Sequence, residues 1–217
     1  MPPAVETHTD QQSAVRLLAA ICAAAYPPAD DKFGADVVAV LRAQSRLQAL
    51  DFWIRYPDYL ANELLNEFEK TGAKDDLNLA RRILNDREPD LRRVPMIRYH
   101  FGAFEPLHNP LSILRSRGLV RQHRHGEPGH VTDTWYLLTN AGQEAMAKLA
   151  DAAVELAWYR DRAAVAARVA GAAGGAALKG RQYLQDEYAA TPLKGMIPSI
   201  AKRVRARLDE LTEAAGR

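Results

Sequence analysis

Apolar residues recur along most of the chain at the three- and four-residue spacing of amphipathic helices. In the first half, this pattern predicts helices over residues 11–26, 36–56, 58–70 and 75–85. Pro27-Pro28 ends the first of these helices, Pro57 fits the first turn of the third, and Thr71-Gly72 closes it.

The helical pattern is less regular between residues 81 and 104. Residues 81–98 are rich in arginine and contain Pro89 and Pro95, so we expect an irregular bridge there. Residues 96–104 fit either a strand or a helix. We expect a short ordered segment whose aromatic side chains pack under the domain that follows.

The strongest local pattern lies between residues 106 and 146. Leu107, Leu111 and Leu114 recur at helical spacing, and Gly118 follows as a C-terminal stop. Residues 118–124 begin apolar and continue polar, which suits a strand leaving a core, and residues 126–129 form a turn signal.

The chain then returns through residues 132–138, which are rich in aromatic and β-preferring side chains. Thr139 or Asn140 can cap the next helix, and Glu144 lies near the position of a capping-box carboxylate. This order of helix, two-stranded wing and helix is typical of a winged-helix domain.

After the wing, the pattern predicts one long helix over 141–170, a glycine-rich break at 171–175, and helices over 178–188 and 198–214. The predicted fold is mainly α: a winged helix-turn-helix with a two-stranded wing, plus N-terminal and C-terminal helical extensions. We divide the chain into an N-terminal helix and linker (1–34), a winged-helix domain (35–150) and a C-terminal helical docking region (151–217).

Composition adds little to this picture. The 217 residues carry a formal net charge of +2, which is ordinary for a globular protein. A single cysteine, Cys22, lies in an alanine-rich predicted helix, where we expect a small buried residue in a reducing compartment. Residues 1–10 contain no lysine or arginine, unlike a secretory leader, and no apolar run is long enough to cross a membrane. We therefore expect a cytoplasmic protein with no membrane contact.

Motifs for catalysis are missing from the sequence. There is no Gly-x-Ser-x-Gly elbow, no Gly-x-x-x-x-Gly-Lys-[Ser/Thr] loop and no pattern of paired carboxylates, so we expect no enzyme activity and no cofactor. His123, His125 and His130 flank the wing turn and raise the question of a metal. A structural zinc site normally has four ligands at tighter spacing, so we favour a polar, solvent-facing wing without a metal.

Arginine is concentrated in the middle of the chain. Residues 81–125 contain ten arginines, no lysine and four acidic residues. Four of these arginines lie on the end of the predicted helix and the first wing strand, where a winged helix contacts the DNA backbone: Arg115, Arg117, Arg121 and Arg124. The helix itself offers only His108, Asn109 and Ser112 to read base edges, so we expect backbone contact rather than sequence-specific reading.

Three stretches carry a resemblance to a known family. They are Leu-Asp-Phe-Trp-Ile-Arg-Tyr-Pro-Asp-Tyr-Leu at 50–60, Arg-Val-Pro-Met-Ile-Arg-Tyr at 93–99 leading into Gly-Ala-Phe at 102–104, and residues 180–200 with their Gln-Asp-Glu-Tyr and Gly-Met-Ile-Pro runs. With the winged helix between them, the chain resembles the middle component of bacterial ABC three-component systems of the Lamassu type, which act in anti-phage defence. The resemblance covers about residues 47–211.

The resemblance implies a non-catalytic adaptor subunit that binds an SMC-like ABC ATPase and an effector and helps to engage double-stranded DNA. The long helix after the wing and the C-terminal helices would then be docking surfaces. Six aromatic residues are candidate interface anchors: Trp53, Tyr56, Tyr59, Trp158, Tyr183 and Tyr188. Core packing is the alternative for each of them. The rival function is a stand-alone winged-helix transcriptional regulator that dimerises through its C-terminal helix.

Overall fold

The computed structural model describes residues 9–100, 102–127 and 130–215. It is mainly helical, with one small antiparallel sheet and a short hairpin. The helices are α1 (Asp10–Ala24), α2 (Gln44–Arg55), α3 (Pro57–Thr71), α4 (Lys74–Asn85), α5 (Glu88–Leu91), α6 (His108–Ser116), α7 (Asn140–Ala152), α8 (Val154–Ala170), α9 (Gly175–Tyr183), α10 (Asp186–Ala190) and α11 (Ala201–Ala215). The strands are β1 (Val37–Arg42), β2 (Ile97–Tyr99), β3 (Gly102–Phe104), β4 (Val120–Glu127) and β5 (His130–Thr139).

The chain forms two compact units, and each unit combines two separated segments. Unit 1 contains the described residues of Met1–Leu47 and Pro106–Ala164, and unit 2 contains those of Gln48–Glu105 and Val165–Arg217. This division differs from the three consecutive segments that the sequence suggested, because strand pairing and helix packing join stretches that are far apart in the chain.

Unit 1 is built around a three-stranded antiparallel sheet in the order β1-β5-β4. Helix α1 packs against α6, α7 and the sheet, and it buries Leu17, Leu18 and Ile21. The helix begins with a capping box between Thr9 and Gln12, and the chain leaves it in an extended conformation at Ala25. The predicted first helix is therefore confirmed, with its boundaries moved by one or two residues.

The predicted helix over 36–56 is wrong in its first part. Residues 37–42 form β1, whose Val40 and Leu41 lie opposite Leu137 and Tyr136 of β5. The Val-Val-Ala-Val-Leu run is rich in residues that favour strands, and pairing with β5 provides hydrogen-bond partners for its main-chain N–H and C=O groups. Ala43 adopts a left-handed conformation (φ 71°), and α2 begins directly after it.

Unit 2 contains a helix pair, α3 and α4, on which α11 packs. Both α3 and α4 were predicted from the sequence, and Gly72 ends α3 in the left-handed conformation that this position requires. The ambiguous segment 96–104 is a hairpin, because β2 pairs with β3. It belongs to unit 2, where Ile97 also pairs with Met196, and the packing of its aromatic side chains under the wing domain stays a prediction.

Asp58 is a buried carboxylate at the centre of unit 2. Its Oδ2 atom accepts hydrogen bonds from the Ser199 hydroxyl (2.6 Å) and from the Ile200 amide (2.7 Å), directly before α11. The carboxylate thus serves as a cap for a helix that is distant in the chain. Burial raises the pKa of Asp58, while these hydrogen bonds and the positive charge of Arg93 act in the opposite direction.

Three further predicted elements are shorter or more divided than expected. The long helix over 141–170 breaks at Ala153, which is extended, into α7 and α8. The helix over 178–188 is two helices, α9 and α10, and the last helix begins at Ala201 rather than Pro198. The predicted bridge over 81–98 is partly ordered, since α4 reaches Asn85 and α5 follows it.

Among the described residues, no helix is both long enough and apolar enough to span a membrane. The prediction that the chain has no secretory leader rests on residues 1–10. Residues 1–8 of this stretch lie outside the described residues.

Candidate nucleic-acid interface

Helix α6 has one buried side and one exposed side. Pro110, Leu111 and Leu114 are buried against the core of unit 1. The exposed side carries polar and basic groups: His108, Asn109, Ser112, Arg115 and Ser116. The helix therefore presents short polar side chains in its first two turns and an arginine near its end.

The connection from α6 to the wing is fixed by Thr139, the last residue of β5. Its hydroxyl donates to the Gly118 carbonyl (2.7 Å) and accepts from the Gly142 amide (3.1 Å) at the start of α7. A Cβ atom on Gly142 would lie 2.2 Å from the Leu119 carbonyl oxygen. The closeness of α7 to this connection explains why a glycine stands in the Thr-Asn-Ala-Gly run.

A groove of about 550 Å³ lies between α6 and β4. Its lining is largely polar and consists of Ser112, Arg115, Ser116, Val120, Arg121 and Gln122. The Arg115 guanidinium donates a long hydrogen bond to the Gln122 side chain (3.3 Å), which holds it at the mouth of the groove. The site is open to solvent and offers hydrogen-bond donors, which the phosphate backbone of a nucleic acid requires.

The two arginines of β4 lie on opposite faces of the sheet. Gln122 and Arg124 pair with Tyr136 and Thr134, so they share the face that α6 covers in part. Arg121 points to the other face, where it donates to the Phe33 carbonyl and to Asp36, both at 2.8 Å. Asp36 partly neutralises Arg121, whereas Arg124 has no ion pair among the described residues.

The four predicted DNA-binding arginines are therefore all exposed, but the fold separates them. Arg115 and Arg124 lie on the same side of unit 1, Arg121 lies on the opposite face of the sheet, and Arg117 follows the end of α6 beside a different groove. Of the candidate base readers on α6, Asn109 already donates to Asp10 (3.2 Å). Phosphate contact through Arg115 and Arg124 fits this geometry better than base reading does.

The face of the sheet that carries Arg121 also holds a ring cluster. Trp135 contacts His125, with ring centroids 4.2 Å apart, and Phe33 at 6.0 Å, while the Arg42 guanidinium lies 4.3 Å from its ring. Its indole donates to Asp133 (2.8 Å). This cluster was not predicted from the sequence, although two-residue alternation places its strand residues on one face of the sheet.

The wing histidines are less exposed than predicted. His123 and His125 are half-buried beside Trp135 rather than free in solvent. The side chain of His130 and residues Pro128 and Gly129 of the predicted turn lie outside what the structure describes. The described residues contain no group of three or more His, Cys, Asp or Glu residues that could hold a metal ion.

Four of the six predicted interface aromatics are core residues of unit 2, which corrects that prediction. Trp53, Tyr56, Tyr59 and Tyr188 are at most 2% exposed. Phe52 forms ring contacts with the three tyrosines at 4.7–5.5 Å. Contact with neighbouring helices and the hairpin buries these rings, so none of the four offers a surface to a partner.

The hydroxyl groups of this cluster bind main-chain atoms of unit 2. Tyr56 accepts from the Met96 amide (2.9 Å) and donates to the Ile197 carbonyl (2.9 Å). Tyr59 donates to the Pro198 carbonyl (3.2 Å). Burial raises the pKa of both phenols, so they stay protonated donors.

Trp158 and Tyr183 are half-buried, and their role at an interface stays a prediction. Tyr183 contacts the Arg98 guanidinium at 5.3 Å and is followed by Leu184, which is 77% exposed. Cys22 is half-buried, and burial raises its pKa to about 12, which makes it a poor nucleophile.

Compared with protein-family models, with curated proteins and with solved structures, the chain matches none of them.

Proposed function

We propose that the protein is a non-catalytic adaptor whose unit 1 is a winged-helix domain that contacts the DNA backbone. In the proposal, the adaptor joins an SMC-like ABC ATPase to an effector in an anti-phage defence complex. The observation that carries the DNA-contacting part is the polar groove between α6 and β4, which Arg115 lines, with Arg124 two residues beyond Gln122 on the same face of β4.

The topology of unit 1 supports the winged-helix interpretation. Its helices and strands follow the order α1, β1, start of α2, α6, β4, β5, α7 and start of α8, and its sheet has the order β1-β5-β4. In a winged helix, the first strand pairs with the second strand of the wing, as β1 pairs with β5 here. On this interpretation, α6 is the recognition helix.

The charges of this surface favour contact with phosphates. Arg115 and Arg124 are exposed and form no ion pair among the described residues, and no acidic residue lines the groove. The Arg115 guanidinium beside the short polar side chains of α6, with Arg124 further along the same face of β4, suits bidentate contacts with phosphates. The ATPase and effector are proposed from the resemblance of residues 47–211.

A stand-alone winged-helix regulator is the second candidate. The exposed His108 and Ser112 favour it, because both can reach a base edge from the first turns of a recognition helix. A regulator should bind one duplex far more tightly than others and form a symmetric dimer.

A pull-down from the native cell with the full chain as bait separates these candidates. Recovery of a coiled-coil ABC ATPase at a fixed ratio supports the adaptor. Recovery of one enriched DNA site without a protein partner supports the regulator and contradicts the adaptor.

Charge reversal tests the DNA-contacting surface within the recovered complex. Replacing Arg115, Arg117, Arg121 and Arg124 with Glu should abolish DNA retention and leave assembly intact, and the double variant at Arg115 and Arg124 should account for most of the loss. Arg87→Glu, at an exposed arginine of unit 2 between α4 and α5, is the matched control. Failure of assembly would assign the arginine surface to a protein partner.

A further inference from the structure

A second groove in unit 1 is mainly apolar and shares no lining residue with the groove between α6 and β4. It has a volume of about 510 Å³ and lies between α1, α6 and α7. Eight of its eleven lining residues are apolar, and three of these form a buried floor: Ala14, Leu18 and Leu114. The other five are half-exposed walls: Val15, Ile113, Leu119, Ala145 and Leu149.

The shape of this groove suits a small ligand. A volume of ~300–1,000 Å³ with mainly apolar walls and a few polar groups is typical of small-molecule sites. Ala14 on α1 and Ala145 on α7 leave this space open, because each is a small side chain at a position where a larger one would project into the groove. The half-exposed walls provide apolar surface that an alkyl chain would cover.

The three polar residues of the groove can all donate hydrogen bonds, and its two charged groups are both cations. Arg117 and Lys148 line it together with Gln11. Arg117 forms no ion pair within the described part of the chain. Lys148 has only a long contact with Glu144 (3.7 Å), and both side chains are largely exposed. The charge of the groove therefore matches an anion and disfavours a cationic occupant.

We propose that this groove binds a medium-chain carboxylic acid. The alkyl chain lies on the floor of Ala14, Leu18 and Leu114, and the carboxylate accepts hydrogen bonds from Arg117 and Lys148. The apolar lining supplies affinity, and the two cations supply the preference for an acid over the corresponding alcohol.

Titration of the full chain with decanoate tests this proposal. Calorimetry gives the Kd, and methyl NMR locates the site through Val15, Ile113 and Leu149. We expect chemical-shift changes at the methyl groups of these three residues. Decanoate should bind at least about tenfold more tightly than decanol, because one charge-assisted hydrogen bond changes the Kd by about this factor.

Two variants and a control define the site. Ala145→Phe places a ring in the groove and should abolish decanoate binding, and Arg117→Ala should weaken it about tenfold. Arg160→Ala, at a residue outside the groove, should leave the Kd for decanoate unchanged. Thermal unfolding of each variant shows that it is folded.

Three results would overturn the proposal. Decanol binding as tightly as decanoate would remove the role of the cations. Decanoate binding unaffected by Ala145→Phe would place the ligand elsewhere. Concentration-dependent dimerisation that Ala145→Phe abolishes, without any decanoate binding, would assign the groove to a second copy of the chain.

Discussion

Replacing Asp58 with alanine should destabilise unit 2 by about 2–4 kcal/mol. The carboxylate is fully buried and accepts two hydrogen bonds from the start of the distant helix α11, from Ser199 at 2.6 Å and Ile200 at 2.7 Å. Hydrogen bonds to a charged acceptor contribute ~1.5–3 kcal/mol each. The substitution also removes the cost of desolvating the carboxylate, so the net loss of stability is smaller than the sum of the two hydrogen-bond contributions.

Two milder variants separate the contributions of these hydrogen bonds to the stability of unit 2. Ser199→Ala removes one donor that is partly exposed and should cost ~1 kcal/mol, whereas Asp58→Asn keeps one side-chain oxygen as an acceptor and should cost less than alanine. Urea unfolding followed by circular dichroism and tryptophan fluorescence gives the free energies. A loss below ~1 kcal/mol for Asp58→Ala would refute the capping role.

The pH dependence provides a second test of Asp58. Its pKa is raised in the native state, so the folded protein binds this proton more readily than the unfolded chain does. As pH falls through the native pKa towards the ordinary value of 3.8, wild type should gain stability relative to Asp58→Asn. A relative loss over this range would mean that the hydrogen bonds outweigh burial.

Three further predictions concern unit 1. If the protein binds DNA as proposed, Arg124→Ala should reduce the salt dependence of binding by about one phosphate contact (~0.9 in the logarithmic slope), and Arg121→Ala should reduce it less because Arg121 is paired. Cys22, with a pKa raised to about 12, should resist iodoacetamide at pH 8 until the chain unfolds. Gly142→Ala should cost ~1–3 kcal/mol, since its Cβ would overlap the Leu119 carbonyl.

The first two of these predictions each have a clear contrary outcome, and the third has a matched control. Equal slope changes for the two arginines would mean that the pairing with Asp36 is lost when DNA binds. Alkylation of native Cys22 at the rate of the unfolded chain would show that its thiol is not protected. Gly180→Ala is the control for Gly142, because Gly180 lies in a helix with open space around it, and alanine should stabilise the chain there.

Elements defined by local signals could be predicted from the sequence. Helix α3 has Pro57 at its start and Gly72 at its end, and α1 has an apolar stripe closed by Pro27. The segment from α6 to α7 follows its predicted order of helix, two strands and helix. In each case the deciding residues lie within a few positions of the element.

Other features depend on distant parts of the chain. Residues 37–41 are apolar enough for either a helix or a strand, and only pairing with β5, about 90 residues later, decides for β1. The capping of α11 by Asp58 could not be predicted, since nothing local pairs position 58 with position 200. The separation of Arg121 from Arg124 was predictable, because strand residues three positions apart point to opposite faces.

The interleaving of the two units has a consequence for how the chain is made. Strand β1 leaves the ribosome long before β5, and at ~5–20 residues per second the wait for its partner is roughly 4–18 s. By then, residues 48–105 have also emerged, while residues 165–217, which complete their unit, have not. Apolar surfaces such as the inner sides of α3 and α4 stay uncovered during this time and are candidate binding sites for chaperones. Cleavage between residues 105 and 106 would likewise leave two fragments, neither of which contains a complete unit, so protein produced in two pieces should regain its structure only when both are present together.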